Sequence, residues 1–246
     1  MELTKALILL PITLLFIACA SPAPDAGEAA ESTPSESPTA AEAPAETPAA
    51  ETQTPGERAN AEFEDKLTGA DLLAALKAGG HVVYFRHAQT EKDYADQADP
   101  NMSLDDCESQ RKLNDVGIQD AKDIGAAFTA KEIPVGQVIT SQYCRAWKTA
   151  ELAFGRVDEK NPQLNFLPFE EYTDEQVEEM KTNVTPLLTA TPAEGTNTVI
   201  VGHDDLFEAA TGIYPEPQGI GYVLTPDGEG GFELVANLLP AEWAGL

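Results

Sequence analysis

His81-Val82-Val83-Tyr84-Phe85-Arg86-His87-Ala88-Gln89-Thr90 is the stretch on which the fold turns. Residues 82–85 form an unbroken run of β-branched and aromatic side chains, the pattern of a strand covered on both faces. The chain then switches within one residue to Arg and His. Open α/β sheets gather ligands where the carboxyl ends of strands meet their loops, so the switch puts chemistry at a strand end. Upstream, residues 68–79 read as a helix that opens on Thr68, a good N-cap, with Asp71 three residues on, and stops at Gly79-Gly80.

Downstream, apolar residues recur at helical spacing over 114–130 (Val116, Ile118, Ala121, Ile124, Ala127, Phe128). Val135–Thr140 reads as a strand, and Cys144–Phe154 as a helix closed by Gly155. Thr173 caps a helix over 174–183, with Pro186 expected to end or kink it. Thr198–Val201 is a short apolar strand followed by a helix near 205–211. Residues 221–225 and 232–238 flank the turn Pro226-Asp227-Gly228, a hairpin signal. This alternation predicts an α/β three-layer sandwich: a mostly parallel sheet, helices on both faces and a C-terminal antiparallel hairpin.

The N-terminal part has another character. Leu7–Ala18 is an apolar run behind Lys5, shorter than a bilayer span and suited to the core of an export signal. The run closes Leu15-Phe16-Ile17-Ala18-Cys19, which resembles the bacterial lipobox, with Phe16 where Leu is usual. The resemblance implies a signal peptide over 1–18, lipidation of Cys19 and a lipoprotein anchored to a membrane on the periplasmic or extracellular face. Residues 20–62 hold 13 Ala, 7 Pro, 9 Ser/Thr and 9 Asp/Glu and not one Leu, Ile, Val, Phe, Tyr or Trp. Such a segment cannot bury enough apolar surface to offset its ordering entropy, so 19–62 is expected to be a disordered tether and 63–246 the folded domain.

The formal net charge is −27, and 63–246 carries 32 acidic against 13 basic residues. That balance excludes a nucleic-acid groove, which needs clustered Lys and Arg to neutralise phosphates, and leaves the lipid at Cys19 as the membrane contact. With 3 His and 3 Cys in the chain, a closed structural zinc site is not expected. Asp204-Asp205 offers no third ligand, and the acidic run 174–179 reads as a solvated helix start, so neither a metal nor another cofactor is assigned.

Three segments that each follow a strand carry the candidate chemistry: Arg86-His87-Ala88-Gln89-Thr90, Ser141 through Ala150 with Arg145, and Gly202-His203-Asp204. The expected domain has four Arg (Arg86, Arg111, Arg145, Arg156), and three lie in or beside these segments. Guanidinium forks match phosphate oxygens. No nucleophile elbow, P-loop or thiol-phosphatase loop is present.

The first of these segments resembles the Arg-His-Gly/Ala signature of the histidine phosphatase superfamily, the group that includes phosphoglycerate mutases and acid phosphatases. Ser141 to Ala150 is similar to its Ser-x-x-x-Arg-x-x-x-Thr-Ala segment. His203 falls where its second His is expected, and Gln110-Arg111-Lys112-Leu113-Asn114 with Gly117 and Ala121 resembles the stretch after the first motif. The resemblance implies a phosphoglycerate mutase-like fold and a metal-independent phosphomonoester hydrolase acting on small phosphorylated substrates. It makes His87 the nucleophile, with Arg86, Arg145, Arg111 and His203 holding the phosphoryl group. Non-catalytic binding of phosphorylated ligands, a phosphohistidine phosphatase and a mutase stand as alternatives. The proton donor is Asp204, next to His203, or Glu170 or Glu171. His81, at a strand start, reads as structural. With Cys19 lipidated, Cys107 and Cys144 remain as an even pair, either bridged, should Arg111 and Arg145 face one phosphate, or two unrelated small buried thiols.

Overall fold

The computed structural model describes residues 53–91, 102–167 and 171–246. The expected signal peptide, Cys19, most of the expected tether and Glu170 lie outside the described residues. The described chain runs α1 (Pro55–Ala61), α2 (Gly69–Ala78), β1 (Val82–Arg86), α3 (Asp115–Ala130), β2 (Val135–Thr140), α4 (Cys144–Phe154), β3 (Glu159–Lys160), α5 (Asp174–Thr189), β4 (Asn197–Gly202), α6 (Asp204–Thr211), β5 (Gly221–Pro226) and β6 (Phe232–Leu238), with short 3-10 turns between.

The strands form one 6-stranded sheet in the order β3-β2-β4-β1-β5-β6. β3, β2, β4 and β1 are parallel, while β5 and β6 are antiparallel and make the closing hairpin. β1 is central and buried along its whole length. Its alternation assigns the layers. Val83 and Phe85 join α2, α3 and α4 through Leu72, Leu76, Ile124, Phe128 and Ala146, together with Trp243 from the C-terminal turn. Val82 and Tyr84 join α5 and α6 through Met180, Val184, Leu188 and Phe207. The three layers and the mixed sheet are those expected from the sequence.

Two expectations need correction. The tether was expected to reach residue 62, yet 55–61 is helical. Thr54 accepts from the Glu57 amide while the Glu57 carboxylate accepts from the Thr54 amide, a capping box with Pro55 in the first turn. Ala59 and Phe63 pack on the α5/α6 side of the core, so composition counted over 43 residues hid a local start signal. Pro186 does not end α5, which continues to Thr189. Pro186 removes one amide donor, but Val184 and Leu188 on either side of it are fully buried, and that burial outweighs the lost bond. Thr68 precedes α2 as expected, though its side chain makes no capping bond.

Candidate active site

The register places the three motifs side by side. Arg86 pairs with Gly202 and Thr140 with Val201, so His87, Ser141 and His203 each stand one residue beyond the end of a neighbouring parallel strand. The His87 amide donates to the Gly202 carbonyl at 3.0 Å, and the Ser141 amide to the Val201 carbonyl at 3.0 Å.

His87 is fully buried. Its Nδ1 lies 2.9 Å from the Ala88 carbonyl oxygen. A carbonyl only accepts, so Nδ1 carries the hydrogen and Nε2 keeps its lone pair. Nε2 receives the Arg145 Nε–H at 3.1 Å and an Arg111 guanidinium N–H at 3.3 Å. Burial first, then Arg145 and Arg86, hold the His87 imidazole well below its ordinary pKa, with the Ala88 bond opposing weakly. A neutral His with a fixed tautomer and an available lone pair is a nucleophile. Thr149, one turn beyond Arg145, fixes the loop. Its hydroxyl accepts from the Ala88 amide at 3.0 Å and donates to the Arg145 carbonyl at 2.7 Å. Gly117 lets α3 approach the same loop: a Cβ there would sit 2.2 Å from the Gln89 carbonyl oxygen.

The His203 ring centroid lies 5.5 Å from that of His87, and His203 is also fully buried. Its Nε2 is 2.9 Å from Ser141 Oγ. Ser141 Oγ donates its one hydrogen to Asn165 Oδ1 at 2.9 Å, and that oxygen also accepts from the Gln142 amide at 3.0 Å. Ser141 Oγ must therefore accept from His203, which puts the His203 hydrogen on Nε2. The buried Nδ1 has no hydrogen-bond partner among the described residues. Burial, then Arg145 and His87, lower the His203 pKa well below its ordinary value. Phe166 and Tyr143 stand edge-on to the ring at 4.7 and 5.2 Å between centroids. The same two rings flank the Arg145 guanidinium at 5.3 and 4.8 Å. The Tyr84 hydroxyl anchors the His203 carbonyl at 2.7 Å.

Arg86 is buried at the end of β1. It donates to the Pro215 carbonyl at 3.0 Å and the Tyr214 hydroxyl at 3.3 Å, and pairs with Asp204 Oδ2 at 2.7 Å. Its Nε is buried with no hydrogen-bond partner among the described residues. Arg111 reaches the site from the turn Cys107–Ser109, where Cys107 and Cys144 form a disulfide with Cα atoms 5.6 Å apart. Gln110 Oε1 also accepts from the Cys144 amide at 2.8 Å.

The structure thus brings together Arg86, His87, Arg111, Arg145 and His203, and ties Asp204 to Arg86. Glu171 is exposed. His81 stands away from this group, with its Nδ1 3.0 Å from the Thr225 hydroxyl. The sequence marked Asp205 only as a possible metal ligand beside Asp204, and did not mark Tyr172, Tyr214 or Phe166. Burial, then Asp204, push the Asp205 carboxyl up to about 7. The Tyr172 hydroxyl donates to the Leu167 carbonyl at 3.0 Å. Asp204-Asp205 as neighbours was the available signal; nothing local marked the aromatic residues. Among the described residues no group of three or more metal-ligating side chains occurs.

A search of curated proteins returned no match. Among solved structures, the chain is similar to the protein histidine phosphatase SixA complexed with tungstate, with 15% identity over 66% of this chain and 98% of that chain and a TM-score of 0.48. Similar figures hold for phosphoserine phosphatase in complex with 3-phosphoglyceric acid from Entamoeba histolytica: 13% identity, 64% and 95% covered, TM-score 0.46. The open reading frame Rv3214 from Mycobacterium tuberculosis gives 17% identity, 65% and 97% covered, TM-score 0.44. A family model described as histidine phosphatase superfamily (branch 1) matches residues 82–198, which contain Arg86, His87, Arg111 and Arg145, while His203 follows just beyond. By that match, residues 82–198 are similar to the histidine phosphatase superfamily.

Proposed function

We propose that the protein is a metal-independent phosphomonoester hydrolase acting through a phosphohistidine at His87. The observation that carries this reading is the Nε2 lone pair of His87, held between Arg145 at 3.1 Å and Arg111 at 3.3 Å. An incoming phosphoryl group takes over those two donors. His87 Nε2 forms a bond to phosphorus as the bond from phosphorus to the leaving oxygen breaks. The arginines, with Arg86 Nε, spread the charge on the equatorial oxygens. His203 Nδ1, bare in the neutral ring, faces an anionic oxygen only when it too carries a proton, so substrate binding is coupled to protonation of His203. Water then attacks phosphorus, the N–P bond breaks, and inorganic phosphate leaves with His87 neutral again.

The leaving oxygen needs a proton. We assign it to the Asp204–Asp205 pair: Asp204 is held on Arg86, and burial, then Asp204, push Asp205 up to about 7, so that part of the population carries a proton at neutral pH. Glu170 and Glu171 remain as alternatives for the same role. The apolar run 7–18 and Cys19 support an exported, lipid-anchored protein, and the Cys107–Cys144 disulfide suits an oxidising compartment. The test is hydrolysis of an aryl phosphate in the presence of chelator. Wild type is expected to turn over and His87→Ala to lose activity by at least about a thousandfold. Equal rates for the two would refute the assignment, and phosphate binding without turnover by wild type would favour a binding protein.

A further inference from the structure

We propose that helix α1 is a working part of the phosphate site and that Asn60 is a positioning residue for Arg86; this rests on the phosphate-binding reading above. Arg86 is held from three sides. Two of the holds, the Pro215 carbonyl at 3.0 Å and the Tyr214 hydroxyl at 3.3 Å, come from the segment 214–216, and its guanidinium lies 5.1 Å from the Tyr214 ring centroid. The third is Asp204.

The segment 214–216 is irregular backbone beyond the end of α6 and is itself fixed by α1. The Tyr214 amide donates to the Gly56 carbonyl at 3.0 Å. Asn60 Nδ2 donates to the Glu216 carbonyl at 2.8 Å, and the Glu216 amide donates back to Asn60 Oδ1 at 3.4 Å. Pro215, between them, has no amide to offer, so the bonds from α1 bracket the one carbonyl that Arg86 uses. Asn60 Oδ1 also accepts from the Tyr222 hydroxyl at 2.6 Å, which ties the clamp to β5. The approach is close at Gly56: a Cβ there would sit 3.1 Å from Tyr214 Cβ and would displace the Glu208 carboxylate, whose Oε1 would be 2.0 Å away. α1 and the segment 214–216 both lie outside residues 82–198, which the family model matches. A guanidinium displaced by a fraction of an ångström no longer meets a phosphoryl oxygen along its N–H bond, and such misplacement costs rate and affinity steeply.

The test uses the full chain. Binding of inorganic phosphate is measured by calorimetry, and aryl phosphate hydrolysis in parallel, for wild type, Asn60→Ala, Arg86→Lys and the double variant. Asn60→Ala is expected to weaken phosphate binding roughly ten- to hundredfold. Added to Arg86→Lys, it should weaken binding less than about twofold, because the group it positions is already gone. A helix serving stability alone would lower the melting temperature with phosphate affinity unchanged, or would weaken binding equally in both backgrounds; either result overturns the proposal. Should Asn60→Ala not fold, Asn60→Asp keeps the acceptor for Tyr222 and removes only the donor to Glu216, with the same expected loss. A wild type that binds phosphate without hydrolysing any phosphoester overturns the reaction but leaves the binding cycle to decide the clamp. A wild type that binds no phosphate overturns both.

Discussion

Opening the Cys107–Cys144 bridge should loosen both the fold and the grip on phosphate. The two cysteines are 37 residues apart in sequence. In the chain-entropy account, a closed loop of that size contributes about 4 kcal/mol by restricting the unfolded chain. Locally the bridge joins the first residue of α4, beside Arg145, to the 3-10 turn that leads into Arg111. Without it, the Cys144 amide bond to Gln110 at 2.8 Å and the Gln110 Nε2 bond to the Ser103 carbonyl at 2.7 Å remain to hold that turn. Those two bonds are worth only about 1 kcal/mol each. The assay is urea unfolding of wild type with and without reductant, and of Cys107→Ala, with thiol counts confirming the redox state. For a slope of about 2 kcal/mol per molar urea, the midpoint should fall by roughly 2 M in the reduced protein and in the variant. Inorganic phosphate should bind more weakly as Arg111 loses its fixed place. Identical midpoints for oxidised and fully reduced protein would refute the entropic argument. A lowered midpoint with unchanged phosphate affinity would refute the link between the bridge and Arg111.

Two further predictions follow from the titrating groups. If the Asp204–Asp205 pair supplies the proton, hydrolysis of alkyl phosphates should fall as pH rises through about 7, the range of Asp205, while nitrophenyl phosphate, whose leaving oxygen needs little help, should respond less. Asp204→Asn and Asp205→Asn should widen that difference tenfold or more; a uniform loss across leaving groups in both variants would move the role to Glu170 or Glu171. His87 and His203 are neutral in the fold, so below about pH 6.5 the unfolded chain binds protons that the folded chain refuses, and stability falls with falling pH. His203→Gln should reduce the slope of unfolding free energy against pH between 6 and 5 by up to about 1.4 kcal/mol per pH unit. An unchanged slope would mean that His203 is protonated in the fold.

What the sequence decided by itself was whatever local chemistry can encode. The apolar run 82–85 specifies a buried central strand, because only a strand covered on both faces hides consecutive large side chains. Gly79 and Gly155 specify helix ends, and the Arg and His residues at the strand ends specify an anionic ligand. It also left legible, though masked by overall composition, the capping box that starts α1. Tertiary structure alone decided which lone pair of His87 is available, because that depends on the Ala88 carbonyl turning onto Nδ1. It decided that Asp204 sits on Arg86, and that burial, then Asp204, drive Asp205 toward its neutral form. It decided that Cys107 and Cys144 meet. And it decided that Asn60, in a stretch that reads as tether, supports an arginine 26 residues away. Hydrogen bonds between irregular segments have no period and no spacing; they exist only once the sheet has brought the segments together.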